Sequence, residues 1–266
     1  MNAWKTPEAF DVKKAGVKYG KLEEVAYESS TTGSWRKCYV ITPSNYDCSK
    51  KYPVLYLLQG IGGTHSEWLG GDPVTVIGNL TAEGKAAEML VVMPNARACK
   101  NDQVPEDILG QSNIDAFDNF INDLREDLMP FINKNYSAST EWKDTAIAGL
   151  SMGGREALYI GFKMPETFAY IGAFSPAPGL LPDQRLGYPG QFSEEAFTIP
   201  KGGRKPELIL ICNGNNDRVV EAVPDKYHET LKNNGIEHVW YTIEGDHNFV
   251  VWRNGLYHFV QRIFRS

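Results

Sequence analysis

Ser151 stands in Gly149-Leu-Ser-Met-Gly153, with a glycine two residues to either side. That spacing fits the G-x-S-x-G elbow that presents a serine as a nucleophile for acyl transfer. The reason is steric. A strand turning sharply into a helix forces the serine into a strained backbone conformation, and side chains two residues away would collide. The turn lifts the hydroxyl out of the sheet and aims the first helical N–H groups at the same point. Both arms are present, an apolar run Ala146 to Leu150 before the serine and a helical segment Arg155 to Lys163 after it. An ordinary glycine-rich strand–helix turn is the bland alternative, and the flanking pattern favours the nucleophile.

A serine hydroxyl is a poor nucleophile at neutral pH and needs a base, itself oriented by a third group. The chain has five histidines, His65, His228, His238, His247 and His258. Downstream of such an elbow the partners follow in the order Ser, Asp or Glu, His, which removes His65. His228 and His258 fall inside predicted helices, and His238 starts a strand. His247 lies in Glu244-Gly-Asp-His-Asn-Phe249, a loop at the carboxyl end of the sheet, and is the expected base. Asp217 closes Asn213-Gly-Asn-Asn-Asp217 directly after a strand and is the expected acid. Asp246 adjoins His247, and neighbouring side chains point apart; Asp225 reads as a helix cap. The oxyanion needs two fixed donors. The backbone N–H of Met152 and that of Ile61, in the glycine loop after Leu58, are the candidates. There is no P-loop and no H-E-x-x-H. Gly60-x-Gly62 is followed by His65 where a dinucleotide fingerprint needs its third glycine.

These residues must be carried by alternating strands and helices. Lys21 to Ser29 and Trp35 to Ile41 alternate as antiparallel strands about a Thr-Thr-Gly-Ser turn. Pro53 to Leu58, Met89 to Met93, Ala146 to Leu150, Ala169 to Phe174, Glu207 to Cys212 and His238 to Ile243 read as buried strands. Helices are expected from Asp72 (N-cap, with Pro73 at the first turn) to about Glu83, from Asp115 to Asn135, from about Glu221 to Asn234, and from Phe249 to Phe264. The acids Asp118, Asp123, Glu126 and Asp127 read as a solvated helix face. Residues 96–112 are irregular. Residues 175–204, with five prolines and five glycines, form a loop region that could rim a pocket. The pattern predicts one α/β domain over residues 1–266, mostly parallel with an antiparallel start, led by an arm over residues 1–20.

Composition bounds the partners. The 266 residues are 42% hydrophobic and carry a net charge of −6, with a pI near 5.5, which argues against a nucleic-acid surface. No apolar run approaches a membrane span. The start has no signal-peptide apolar region, so the chain is either cytosolic or lacks its leader. Cys38, Cys48, Cys99 and Cys212 form no C-x-x-C, which leaves zinc or redox motifs unsupported, and no metal or cofactor is expected. Cys38 and Cys48 flank a turn-rich segment and could be bridged; Cys212 reads as a buried free thiol. Asn79 and Asn135 match the glycosylation acceptor pattern.

Five segments taken together resemble carbohydrate esterase family 1, and more narrowly its feruloyl esterase domains of xylanases and their anaerobic-fungal relatives. They are Leu55-Tyr-Leu-Leu-Gln-Gly-Ile-Gly-Gly63, Val92-Met-Pro-Asn95, Ile147-Ala-Gly-Leu-Ser-Met-Gly-Gly154, Gly214-Asn-Asn-Asp217 and Gly245-Asp-His-Asn-Phe-Val-Val-Trp252. The resemblance runs from about Lys18 to Phe264. It implies an α/β-hydrolase fold with helices on both faces of the sheet. It also implies hydrolysis of ferulate or p-coumarate esters on arabinoxylan by Ser151, Asp217 and His247, in a secreted enzyme. Where the family usually has histidine before its glycine loop, this chain has Gln59, which would alter side-chain contacts near the acyl site. A planar cinnamoyl group wants an apolar, partly aromatic slot, and Trp68 and Trp252 are its candidate walls. Related alternatives are an acetyl xylan esterase, an S-formylglutathione hydrolase, a mycolyltransferase-type acyltransferase, or an inactive carbohydrate-binding relative. The oligomeric state is left open.

Overall fold

In the computed structural model, residues 3–185 and 187–265 are described. Met1 and Asn2 of the expected arm, Leu186 of the 175–204 region and Ser266 lie outside them. One eight-stranded sheet organises the chain. In sequence its strands are β1 (Lys21–Ser29), β2 (Ser34–Thr42), β3 (Val54–Leu58), β4 (Leu90–Pro94), β5 (Thr145–Leu150), β6 (Tyr170–Phe174), β7 (Leu208–Gly214) and β8 (Val239–Ile243). Their spatial order is β1-β2-β4-β3-β5-β6-β7-β8. The β1–β2 and β2–β4 pairs are antiparallel, and all others are parallel.

The central strands are buried on both faces, which is why they read as unbroken apolar runs. Along β3, Val54, Tyr56 and Leu58 enter one apolar layer, and Leu55 and Leu57 the other. The first layer is closed by α2 (Gln111–Asp118), α3 (Phe120–Asp123), α4 (Met129–Asn135), α5 (Met152–Lys163) and α6 (Val223–Asn233). The second is closed by α1 (Pro73–Ala82) and α7 (Phe249–Val260). Among the described residues, no helix is long and apolar enough to cross a membrane. The chain leaves β3 towards β4 on one side and returns to β5 on the other. The carboxyl ends of β3 and β5 therefore flank a topological switch point, where ligands of open α/β sheets bind.

Several expectations need correction. The helix expected over residues 115–135 begins earlier, at Gln111, and is broken into three, with a π-helical turn at Leu124–Leu128. Pro130 follows that turn and has no N–H to give to the carbonyl one turn back. Three of its four acids are engaged rather than solvated. Asp123 is fully buried, accepts the Tyr27 hydroxyl at 2.7 Å and lies 3.3 Å from the Arg36 guanidinium. Asp118 pairs with Arg155. Asp127 accepts four hydrogen bonds from the amides and hydroxyls of Ser30 and Thr31, in the β1–β2 turn. The last helix stops at Val260, short of Phe264.

Cys38 and Cys48 are not bridged; all four thiols are free, with Cys38 buried and Cys48 exposed. Asn79 is no surface acceptor site. It is buried, donates to the carbonyls of Phe10 and Val12 at 2.9 Å and accepts from the Tyr19 hydroxyl. That amide ties the leading arm to α1. Trp4 fastens its start, stacking on Tyr241 with centroids 4.0 Å apart.

Candidate active site

Ser151 sits between β5 and α5 with φ 52° and ψ −118°, strained for a residue with a side chain. The flanking glycines are required by contact. A Cβ on Gly149 would fall 2.4 Å from the Gly153 backbone. One on Gly153 would fall 2.4 Å from the Leu58 carbonyl oxygen and 2.5 Å from that of Gln59. The elbow is thus pressed against the end of β3.

Two loops bring partners to the hydroxyl. The one after β8 carries His247, whose Nε2 is 2.9 Å from Ser151 Oγ. The one after β7 carries Asp217, whose Oδ2 is 2.7 Å from His247 Nδ1. An ionised Asp217 can only accept, so the Nδ1–H donates to it. Nε2 is then left to accept the serine proton. Burial pushes the Asp217 carboxyl up, but its hydrogen bond and charge contact with His247 and the N–H groups of Val219 and Val220 outweigh this and hold it below the usual range. Asp246 is exposed and contacts neither partner. The remaining histidines are engaged elsewhere. His65 bonds Glu24, His228 and His238 bond each other, and His258 bonds the Trp4 carbonyl.

Met152 begins α5, so its N–H has no acceptor within the helix. Ile61 shares one cavity with Ser151 and Met152. The glycine loop carrying Ile61 is held from both sides, by residues that motif reading passed over. Glu67 accepts the Gly60 N–H at 2.6 Å. Arg97 donates to the carbonyls of Ile61 at 2.6 Å and Gly63 at 3.2 Å. Neither Glu67 nor Arg97 belongs to a recognisable motif; Glu67 lies seven residues after Gly60, and only the fold brings Arg97 to the loop.

The side chains expected to touch substrate behave differently. Trp68 is 1% exposed, donates to the Leu58 carbonyl at 2.8 Å and packs edge-on against Phe174 and Phe249, so it is core. Gln59 is equally buried, bonding Asn95 Oδ1 and the Ala96 N–H. Trp252 stands edge-on to the His247 ring, centroids 5.1 Å apart, and does not line the cavity. The cavity beside Ser151 has a volume of about 370 Å³. Its walls include Leu109, Ile114, Val219 and Val220, and its aromatic residue is Tyr188. Tyr188 comes from the 175–204 region, which does rim the pocket. A larger recess, about 500 Å³, lies between the arm and α1, and no histidine or cysteine lines it.

The arrangement can carry out acyl transfer, and comparisons with known proteins agree. The family model described as putative esterase matches residues 29–263. The chain is 28% identical over 263 residues to an endo-1,4-beta-xylanase/feruloyl esterase of Xylanibacter ruminicola, covering 96% of this chain but 33% of that relative's length. It is 36% identical to the CE1 ferulic acid esterase of the anaerobic fungus Anaeromyces mucronatus, solved without substrate and in complex with ferulic acid. The TM-score is 0.92, with 98% of this chain and 97% of that one covered. An S-formylglutathione hydrolase from Agrobacterium tumefaciens, 19% identical at a TM-score of 0.71 over 95% and 99% of the two chains, shares the α/β-hydrolase fold.

Proposed function

The chain belongs to the putative esterase family, and from that membership we propose that it is a serine esterase releasing ferulate or p-coumarate from feruloylated arabinoxylan. The observation that carries this reading is the hydrogen-bonded line Asp217–His247–Ser151 opening into a mainly apolar cavity. Its likeness to a fungal ferulic acid esterase over almost its whole length supports the substrate class. In this reading residues 1–266 act as one catalytic unit, with the arm packed onto the sheet. A wall polymer as substrate makes it a secreted enzyme.

The mechanism follows from the geometry. Ser151 Oγ attacks the ester carbonyl carbon while its proton passes to His247 Nε2. Asp217, kept ionised, holds the imidazole in the tautomer that accepts and stabilises the imidazolium that results. The carbonyl oxygen, now negative, is received by the backbone N–H groups of Met152 and Ile61. Each such donor is worth roughly 3–4 kcal/mol in the transition state. Collapse breaks the bond to the sugar oxygen, which leaves with the proton from His247. Water then attacks the acyl-enzyme, giving its proton to His247; collapse breaks the bond to Ser151 Oγ, which takes that proton back as the cinnamate is released.

The test is kcat/KM for methyl ferulate, methyl p-coumarate and a short acetyl ester. Strong preference for the cinnamates is expected. Preference for the acetyl ester would keep the chemistry and move the protein to the acetyl esterases.

A further inference from the structure

We propose that the Asp118–Arg155–Gln191 cluster reads the para-hydroxyl of the substrate's hydroxycinnamoyl ring, and so sets a preference for phenolic over unsubstituted cinnamoyl esters. This rests on the feruloyl esterase reading of the same cavity.

Around Ser151 the cavity walls are largely apolar; Asp118, Arg155 and Gln191 also line it and supply polar groups. Arg155 lies four residues beyond Ser151 on α5, one turn along and on the same face, an axial rise of about 6 Å. A ring held by its propenoyl carbonyl at Ser151 would reach towards this turn. The Arg155 side chain is 2% exposed, with Nη1 bonded to Asp118 and Glu156. Its Nε has no hydrogen-bond acceptor among the described residues. The neighbour on that side is Gly179, also in the cavity lining, where a Cβ would stand 3.2 Å from Nε. The Nε–H is buried behind this glycine, which sits at φ +104°.

Asp118 is the complementary half. Its side chain is 25% exposed, with Oδ1 towards Arg155 and Oδ2 towards Gln191 Nε2. A carboxylate has about four acceptor positions, so these two bonds leave room for another donor. A phenol offers an O–H to the part-exposed Asp118 carboxylate, which Arg155 and Gln191 hold in place. An unsubstituted ring offers no such donor and would desolvate the carboxylate without compensation.

The experiment compares kcat/KM for methyl p-coumarate and methyl cinnamate, which differ only in the para-hydroxyl, in wild type, Asp118→Ala and Gln191→Ala. The ratio is internal to each protein, so a general loss of activity cancels. Wild type is expected to favour p-coumarate by on the order of tenfold to a hundredfold, the span of one charge-assisted hydrogen bond. In Asp118→Ala the ratio should fall towards one, with a smaller fall in Gln191→Ala. If Asp118→Ala fails to fold, Asp118→Asn, which keeps the shape and removes the charge, should lower the ratio several-fold. A wild-type ratio near one, or a ratio that survives at Asp118, overturns the proposal while leaving a feruloyl esterase. A wild type that ignores all cinnamates and takes only the acetyl ester overturns the underlying reading, and this proposal falls with it.

Discussion

The Glu67 carboxylate accepts the Gly60 backbone N–H at 2.6 Å, so one half-buried acid sets the position of the loop that carries the Ile61 amide. The fit is close: a Cβ on Gly63 would lie 2.3 Å from Glu67 Oε2. Burial pushes this carboxyl up, against the Gly60 N–H and the charges of His247 and Arg97. If the Ile61 amide receives the oxyanion as proposed, Glu67→Ala should lower kcat by about 10- to 100-fold with little change in KM, because such a donor acts in the transition state. Glu67→Gln keeps an acceptor oxygen and should retain most of the activity. Steady-state kinetics on methyl ferulate distinguishes them; equal rates for wild type and Glu67→Ala would show that the loop holds itself.

Ser151→Ala should reduce ester turnover by on the order of 10⁴ to 10⁶, as removal of a nucleophile does elsewhere. Labelling by a serine-directed phosphonate should vanish in the same variant. Retention of more than a small fraction of wild-type activity would place the nucleophile at another residue.

Asp217 and Asp246 offer a paired comparison, because Asp246 adjoins His247 in sequence while Asp217, 30 residues away, hydrogen-bonds its ring. Asp217→Asn should lose several orders of magnitude in kcat, since the amide favours the wrong imidazole tautomer. The exposed Asp246→Asn should stay within a few-fold of wild type. The reverse result would reassign the acid.

Partial burial pushes the Asp127 carboxyl up, yet hydrogen bonds from Ser30 and Thr31 prevail and hold it at about 2. An unfolded aspartate titrates near 3.9, roughly. A folded value below the unfolded one means stability that is present above about pH 4 and lost as pH falls towards 2. Asp127→Asn should therefore melt lower than wild type at pH 7, and the difference should shrink as the pH approaches 2. A difference that stays constant across thermal melts at pH 7, 4 and 2.5 would contradict the assignment.

Trp68→Phe should act on stability, not selectivity. It removes the hydrogen bond from Nε1 to the Leu58 carbonyl and leaves a gap against Phe174 and Phe249, costing roughly 1–3 kcal/mol. Urea unfolding would show the loss, while the ratio of ferulate to acetyl turnover should hold. A change in that ratio would return Trp68 to the substrate slot.

The elements that position the site were largely legible in the residues. Continuous apolar runs marked the strands, and the glycines around Ser151 marked the elbow. His247 and Asp217 followed from their places just after strands, since side chains at the carboxyl end of a parallel sheet converge on one edge. Legibility failed where a residue's role depends on what comes to meet it. Asp123 looked like one more solvated acid until β1 and β2 brought Tyr27 and Arg36 against it. Trp68 and Trp252 were near the site in sequence, yet one filled the core and the other packed edge-on against the His247 ring.

Local sequence by itself determined where the strands lie, where the chain must turn sharply, and which serine is presented at a strand end. These depend on backbone sterics and on apolar periodicity, which are properties of neighbouring residues. Only the tertiary structure decided that Glu67 and Arg97 hold the glycine loop, that Tyr188 supplies the aromatic residue of the cavity, and that Asp118, Arg155 and Gln191 meet there. Apart from Glu67, seven residues from Gly60, those contacts join residues tens of positions apart, and a side chain's polarity does not reveal which distant partner the packed sheet will set beside it.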